Sequence, residues 1–160
     1  MKRKRLLSVL LALSLAASLT ACGGGSSAPA TSGESAASAG SSDEPILIGT
    51  ISPNTGNLAA YGTAVTTGAA LAVEEINAAG GVLGSQIQVI NADDQYDPTE
   101  CLNAFNSLVS QGVGLIVGSV TSGCTSAITG AANEEEVCLI TPTSTADSIT
   151  TEDDFVFRSC

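Results

Sequence analysis

The stretch "VGLIVGSVTSGCTSA" at 113–127 carries the fold. Its first six residues, 113–118, are aliphatic or glycine with no polar alternation, the pattern of a strand covered on both faces in a parallel sheet. Hydroxyls follow at once, and a helical run opens near Ser122 and continues to about residue 135. A second junction of the same kind lies downstream, where the strand "VCLIT" (137–141) leads into Thr143, Ser144 and Thr145. An irregular or short helical piece then extends to Asp154, before a last strand "FVFR" at 155–158.

Upstream, "ILIGTIS" (46–52) is an apolar strand. In the helical stretch near 61–79, Val65, Ala69, Val73 and Ile76 recur every three to four residues, and Gly80-Gly81 stops it. "QIQVINA" (86–92) is the next strand. In "DPTE" (97–100), Asp97 is an N-cap, Pro98 suits the first helical position and Glu100 the third. The spacing predicts a helix with Leu102, Phe105 and Val109 inward, ending at Gly112. Strands alternating with helices predict an α/β fold built on a doubly wound parallel sheet. Ligands of such sheets sit beyond the carboxyl ends of the strands. Ser52 to Gly62, Thr121-Ser122 and Thr143 to Thr145 all fall there.

Residues 1–21 have the parts of an export signal: the basic run Lys2 to Arg5, an apolar stretch from Leu6 to Leu19, and small residues before a cut. Leu19-Thr20-Ala21-Cys22 resembles the bacterial lipobox, which makes Cys22 the first mature residue and its thiol the site of lipid attachment. Residues 22–44 then form a flexible linker, with no aromatic or large aliphatic side chain to offset chain entropy. As a coil it spans roughly 25 Å r.m.s.. Two or three acyl chains anchor stably where one is marginal.

Without the signal, Arg158 is the single basic residue against sixteen acids, a net of −15. That excludes nucleic acid as a partner, because phosphate neutralisation needs Lys and Arg. It also predicts repulsion from anionic lipid, so membrane attachment is expected through the lipid anchor only. Hydrophobic residues make up 44% of the chain and aromatics 3%, so the core is expected to be aliphatic.

No His occurs anywhere, and no Lys follows Lys4. Ser-His-Asp, Ser-Lys and Cys-His nucleophile systems and His-bearing zinc sites each lack a member. No enzyme activity, cofactor or metal is expected. The spacing of Asp93, Asp94 and Asp97 fits no Ca²⁺ loop, and the run reads as a solvated acidic loop with Asp97 as cap. Glu134-Glu135-Glu136 reads as a solvated helix end.

Neutral groups remain. The amino end of the helix near Ser122 offers N–H groups and a positive dipole end to a carboxylate, and the Ser122 hydroxyl adds a donor. The Thr143 carbonyl and the Thr145 hydroxyl are acceptors suited to an ammonium group. Together they describe a site for a zwitterion. Ser and Thr also cap helices and turns, and each of these hydroxyls taken singly fits that plainer use.

The segments "IGTISPNTGNLAAYGTAVTTGAALAVEEINAAGGVLGSQIQV" and "GVGLIVGSVTSGCTSA…LITPTSTADSIT…FVFRS", in this order over 46–160, resemble the leucine/isoleucine/valine-binding family. Its members are type I periplasmic solute-binding proteins of branched-chain amino-acid ABC transporters. The resemblance implies strand order 2-1-3-4-5, with residues 45–160 as the N-terminal lobe of a two-lobed protein and the chain as a fragment or a truncated gene product. It implies that Ser122 takes the ligand carboxylate, the Thr143 carbonyl takes the ammonium, Thr145 contacts both ends and Tyr61 walls the pocket. Thr143 stands where family members often have Ala, which leaves a backbone contact available. Implied partners are a small amino acid, branched-chain for preference, and ABC permease subunits, at the extracytoplasmic face of the cell membrane. Alternatives are a sensory-receptor ectodomain, a binder of amides, urea or another small zwitterion, and a hydrolase-like enzyme that would need His or Lys from elsewhere.

In a sheet ordered 2-1-3-4-5, Cys101 and Cys124 fall in the first turns of neighbouring helices, so an exported protein is expected to pair them. The resemblance implies a disulfide in this region. Cys138 and Cys160 fall at opposite ends of neighbouring strands and are not expected to pair.

Overall fold

The computed structural model describes residues 44–151 and 155–160. The expected signal peptide, Cys22 and nearly all of the linker lie outside the described residues. Strand β1 (Ile46–Ser52) leads through a 3-10 turn (Gly56–Leu58) into α1 (Ala59–Ala78). There follow β2 (Ile87–Asp93), α2 (Pro98–Ser110), β3 (Leu115–Gly118), α3 (Ser122–Glu134) and β4 (Cys138–Thr141). A second 3-10 turn (Asp147–Ile149) precedes β5 (Val156–Arg158). The strands form one five-stranded sheet in the order β2-β1-β3-β4-β5, parallel throughout, as the α/β reading expects.

Helices α2 and α3 cover one face. Ile51, Phe105, Leu108, Ile116, Ile128 and Leu139 are fully buried between them and the sheet, an aliphatic core with one aromatic ring. At Gly49 a Cβ would lie 2.8 Å from Leu108 Cδ1, so glycine lets α2 settle onto β1. At Gly118, where β3 ends with φ +140°, a Cβ would lie 2.1 Å from the Ile51 carbonyl oxygen. No other residue fits there.

The phase of α2 differs from the expected one. Its inward residues are Cys101, Ala104, Phe105 and Leu108, whereas Leu102 is exposed and Val109 only half-buried. The Asp97 cap, accepting N–H bonds from Thr99 at 2.7 Å and Glu100 at 3.1 Å, sets where the helix starts. Small residues then face α3 because close helix packing needs them, a preference that a search for bulky apolar side chains passes over.

Among the described residues the opposite face carries only α1, which lies over β1 and β2. In α1 only Gly62 is fully buried; Val65, Ala69 and Val73 are half-buried and Ile76 is exposed. A cavity of about 470 Å³ opens between this helix and the sheet, lined by residues that include Ile48, Val73, Val89 and Val117. The expectation that 113–118 is covered on both faces is therefore corrected: Leu115 and Val117 are half-buried on the α1 side. The strand itself begins two residues later than expected, at Leu115.

Candidate functional site

All the strands point the same way, so their carboxyl ends meet at one edge, and the hydroxyl clusters meet there too. Ser122 opens α3. Thr121 stands at the N-cap with extended backbone (φ −108°, ψ 145°), yet its side chain makes no capping bond. The first-turn N–H groups are thus not consumed by a cap and face the sheet edge. The Ser122 oxygen instead accepts bonds from Thr145 N–H at 3.2 Å and Ala146 N–H at 3.4 Å. Both are received on oxygen, so its own proton stays available to an acceptor. Thr143 donates its hydroxyl to the Val120 carbonyl, leaving its backbone for other contacts. Ser122, Thr143 and Thr145 are therefore brought together by direct bonds between the β3–α3 and β4–β5 connections.

Tyr61 lies in the first turn of α1, which starts at the same edge. Gly62 places it: a Cβ there would lie 2.1 Å from the Pro53 carbonyl oxygen, so the helix start presses directly on the turn after β1. Tyr61 is 65% exposed. Among the described residues, no hydrogen bond joins it to the other three.

Beneath these groups lies a buried hydroxyl network for which the sequence reading gave no role. The Ser119 carbonyl accepts from Thr141 Oγ1 at 2.7 Å, Thr125 Oγ1 at 3.1 Å and Ser144 Oγ at 3.4 Å. Ser144 Oγ lies 2.7 Å from both Thr125 Oγ1 and Thr141 Oγ1. All four residues are essentially inaccessible. Satisfied buried networks of this kind rigidify what they join; here they lock β3, α3 and β4 at the point where Ser122 and Thr143 emerge. Thr125 was legible, since it falls on the helical face of Ile128 and Ala132. Thr141 and Ser144 carry no comparable signal.

The acidic loop needs correction. Asp94 is wholly buried rather than solvated, accepting from the Ser119 hydroxyl at 2.6 Å and Tyr96 N–H at 3.0 Å. Asp93 is half-buried and brackets the turn after β1, accepting from Thr55 Oγ1 at 2.7 Å, Asn54 N–H at 2.8 Å and Gln95 N–H at 2.9 Å. Burial works to raise the Asp93 pKa, and the Thr55 hydroxyl with the N–H groups of Gln95, Asn54 and Thr55 outweighs it, so the net shift is downward. Asp97 caps α2 as expected, and Glu134 to Glu136 are exposed. Arg158, the single cationic side chain among the described residues, donates to the Thr145 carbonyl at 2.9 Å and pairs with Asp147 at 3.4 Å. A metal could draw on only one cluster of described residues, Asp94 with Cys101 and Cys124.

Comparison with known proteins places this geometry. The sequence profile of the family described as "Periplasmic binding protein" matches residues 45–159. A Leu/Ile/Val-binding protein of Rhizobium johnstonii is 43% identical over 105 residues, which are 66% of this chain and 29% of that protein. A leucine-, isoleucine-, valine-, threonine- and alanine-binding protein of Pseudomonas aeruginosa is 40% identical over 107 residues, 67% of this chain and 29% of that one. Among solved structures, the branched-chain amino acid transporter substrate-binding protein of Streptococcus pneumoniae in complex with isoleucine is 43% identical. It superposes with a TM-score of 0.69 over 72% of this chain and 33% of its own. The chain thus spans about a third of the length of the relatives it matches. On the match over 45–159 and the parallel 2-1-3-4-5 sheet, this chain belongs to the periplasmic binding protein family.

Proposed function

We propose that the chain is the N-terminal lobe of an extracytoplasmic substrate-binding lipoprotein that captures a branched-chain amino acid for an ABC transporter. The observation that carries this is Ser122: a hydroxyl with a free proton at the uncapped amino end of α3, on the carboxyl edge of a parallel sheet. A carboxylate is the ligand group such an end favours, through its N–H groups and helix dipole, with no Lys or Arg needed. The Thr143 carbonyl and the Thr145 hydroxyl then receive the ammonium, and Tyr61 closes the pocket wall. The similarity to proteins that bind leucine, isoleucine and valine, one of them also threonine and alanine, favours an aliphatic side chain on the ligand. The chain carries no His, and its only Lys residues are Lys2 and Lys4, so the site has no nucleophile–base pair of the common kinds and the reading is of binding rather than catalysis.

Attachment is read from Leu19 to Cys22: cleavage after Ala21 and acylation of Cys22 would hold the lobe at the membrane on its 22–44 linker. Replacing Cys22 by Ser should then release the protein from membranes, and a variant that stays bound in fractionation contradicts the anchor. The ligand class is tested by calorimetry on the full exported protein with leucine, isoleucine and valine beside polar amino acids, amides and urea. Tight binding of the aliphatic amino acids alone supports the reading; preference for amides or urea, or no binding at all, overturns it.

A further inference from the structure

We infer that Arg158 is the positioning residue for the ammonium end of the site: it fixes the Thr145 backbone so that the Thr145 hydroxyl and the Thr143 carbonyl stand ready for a ligand cation, a role that rests on the amino-acid reading above. The connection that follows β4 runs past the end of β5, and consecutive residues there hold it by its carbonyls. The Thr141 carbonyl accepts from Ser159 N–H at 3.1 Å, and the Pro142 carbonyl from the Ser159 hydroxyl at 2.9 Å. The Ser144 carbonyl accepts from the Cys160 thiol at 3.2 Å, and the Thr145 carbonyl from Arg158 Nη1 at 2.9 Å. Of the carbonyls from 141 to 145, that of Thr143 alone accepts no hydrogen bond among the described residues. The two threonines are complementary. Thr143 commits its hydroxyl to the Val120 carbonyl and keeps its own carbonyl. Thr145 commits both backbone groups, its N–H to Ser122 Oγ at 3.2 Å and its carbonyl to Arg158, and among the described residues nothing takes its hydroxyl. Both residues are exposed at the carboxyl edge of the sheet.

Among these holds, the one from Arg158 is the strongest. Its guanidinium presents donors in a fixed fork, and a charged donor makes a stronger bond to a carbonyl than a hydroxyl or a thiol does. Its second bond, to Asp147 at 3.4 Å, ends on a fully exposed carboxylate and contributes little. The bond to the Thr145 carbonyl is therefore the one that matters. A residue tied at both backbone groups has little freedom left to lose when a ligand arrives, and the ordering cost of binding falls accordingly. Arg158 is also the single cationic side chain among the described residues, so its charge by itself opposes an ammonium nearby. Positioning and bare charge thus predict opposite effects of removing it.

The test is Arg158→Met, which keeps an unbranched apolar stem and loses the donors, beside Arg158→Lys and Asp147→Asn, all in the full exported protein. Displacement titrations compare leucine with 2-hydroxy-4-methylpentanoate, in which a neutral hydroxyl replaces the ammonium, and with leucinamide, which keeps the ammonium and lacks the carboxylate. Arg158→Met should cut the preference for leucine over the hydroxy acid by about tenfold, the scale of a misplaced bond to a charged group, and leave the preference over leucinamide within about twofold. Arg158→Lys should restore part of the loss, and Asp147→Asn should match the parent. In the ligand-free protein, hydrogen exchange at the Thr145 and Ala146 amides should quicken in Arg158→Met, while the buried amides of α2 and α3 exchange as in the parent. Parental exchange at Thr145 and Ala146 overturns the proposal. So does a preference over the hydroxy acid that is unchanged or raised, or an equal loss of both preferences. A parent protein that binds no aliphatic amino acid overturns the amino-acid reading and the ligand role of Arg158 with it; the exchange comparison, which needs no ligand, still decides whether Arg158 holds Thr145.

Discussion

At Ser122 the hydroxyl oxygen receives two N–H groups from the neighbouring connection, and its own proton is left to donate. If Ser122 takes a ligand carboxylate as proposed, Ser122→Ala should weaken binding of an aliphatic amino acid by about 1.5–3 kcal/mol, the scale of a hydrogen bond to a charged group. Glu134→Gln, on the exposed end of α3, should leave affinity unchanged in the same titration. Ser119 acts one layer deeper: its hydroxyl satisfies the buried Asp94 carboxylate at 2.6 Å. Removing it in Ser119→Ala should cost about 1–3 kcal/mol in urea unfolding, because the carboxylate keeps its burial and loses a donor. Asp93 gives a pH dependence with a definite sign. Its folded pKa is depressed, so the unfolded chain binds the extra proton. Its stabilisation is complete above the ordinary carboxylate pKa of about 4 and is lost as pH falls through the lower folded value. Asp93→Asn should flatten the acid limb of the stability curve and leave its neutral region nearly level; an unchanged acid limb contradicts the bracket.

Among the elements, β1 was legible to the residue, since Ile46–Ser52 gathers Ile46, Leu47, Ile48 and Ile51 between Pro45 and Pro53. So was the start of α2, where Asp-Pro is a local signal that needs no tertiary context. Ser122, Thr143 and Thr145 could be placed because strand polarity alone sends them to one edge. What the sequence withheld depends on contacts between distant segments. Asp94 looks like its acidic neighbours, and only its approach to Ser119, twenty-five positions away, separates it from them. Cys101 and Ala104 were passed over as core because their burial comes from the closeness of α2 and α3, not from their size. Gly118 shows the same dependence: the Ile51 carbonyl oxygen leaves no room for a side chain. Gly118→Ala should lower stability by about 3 kcal/mol or more, combining a strained φ with overlap, measured by thermal or urea unfolding. A variant of near-parent stability contradicts this close approach of β3 to β1.

For the molecule as a whole, among the described residues one sheet face is sealed by α2 and α3 and a cavity opens on the other beside α1, while Ser122, Thr143 and Thr145 lie at the carboxyl edge of the sheet. The buried hydroxyl network and the Arg158 bond to the Thr145 carbonyl hold that edge in place before any ligand arrives. Preorganisation of this kind lowers the ordering cost of binding. The most direct test of the central claim, that the amino end of α3 with Ser122 holds a ligand carboxylate, is a calorimetric cycle on the full exported protein. It compares leucine with leucinamide, which lacks the carboxylate, in the parent and in Ser122→Ala. The account predicts that the parent strongly prefers leucine and that the substitution cuts this preference by about tenfold or more, the equivalent of at least about 1.4 kcal/mol. An equal preference in parent and variant would contradict it.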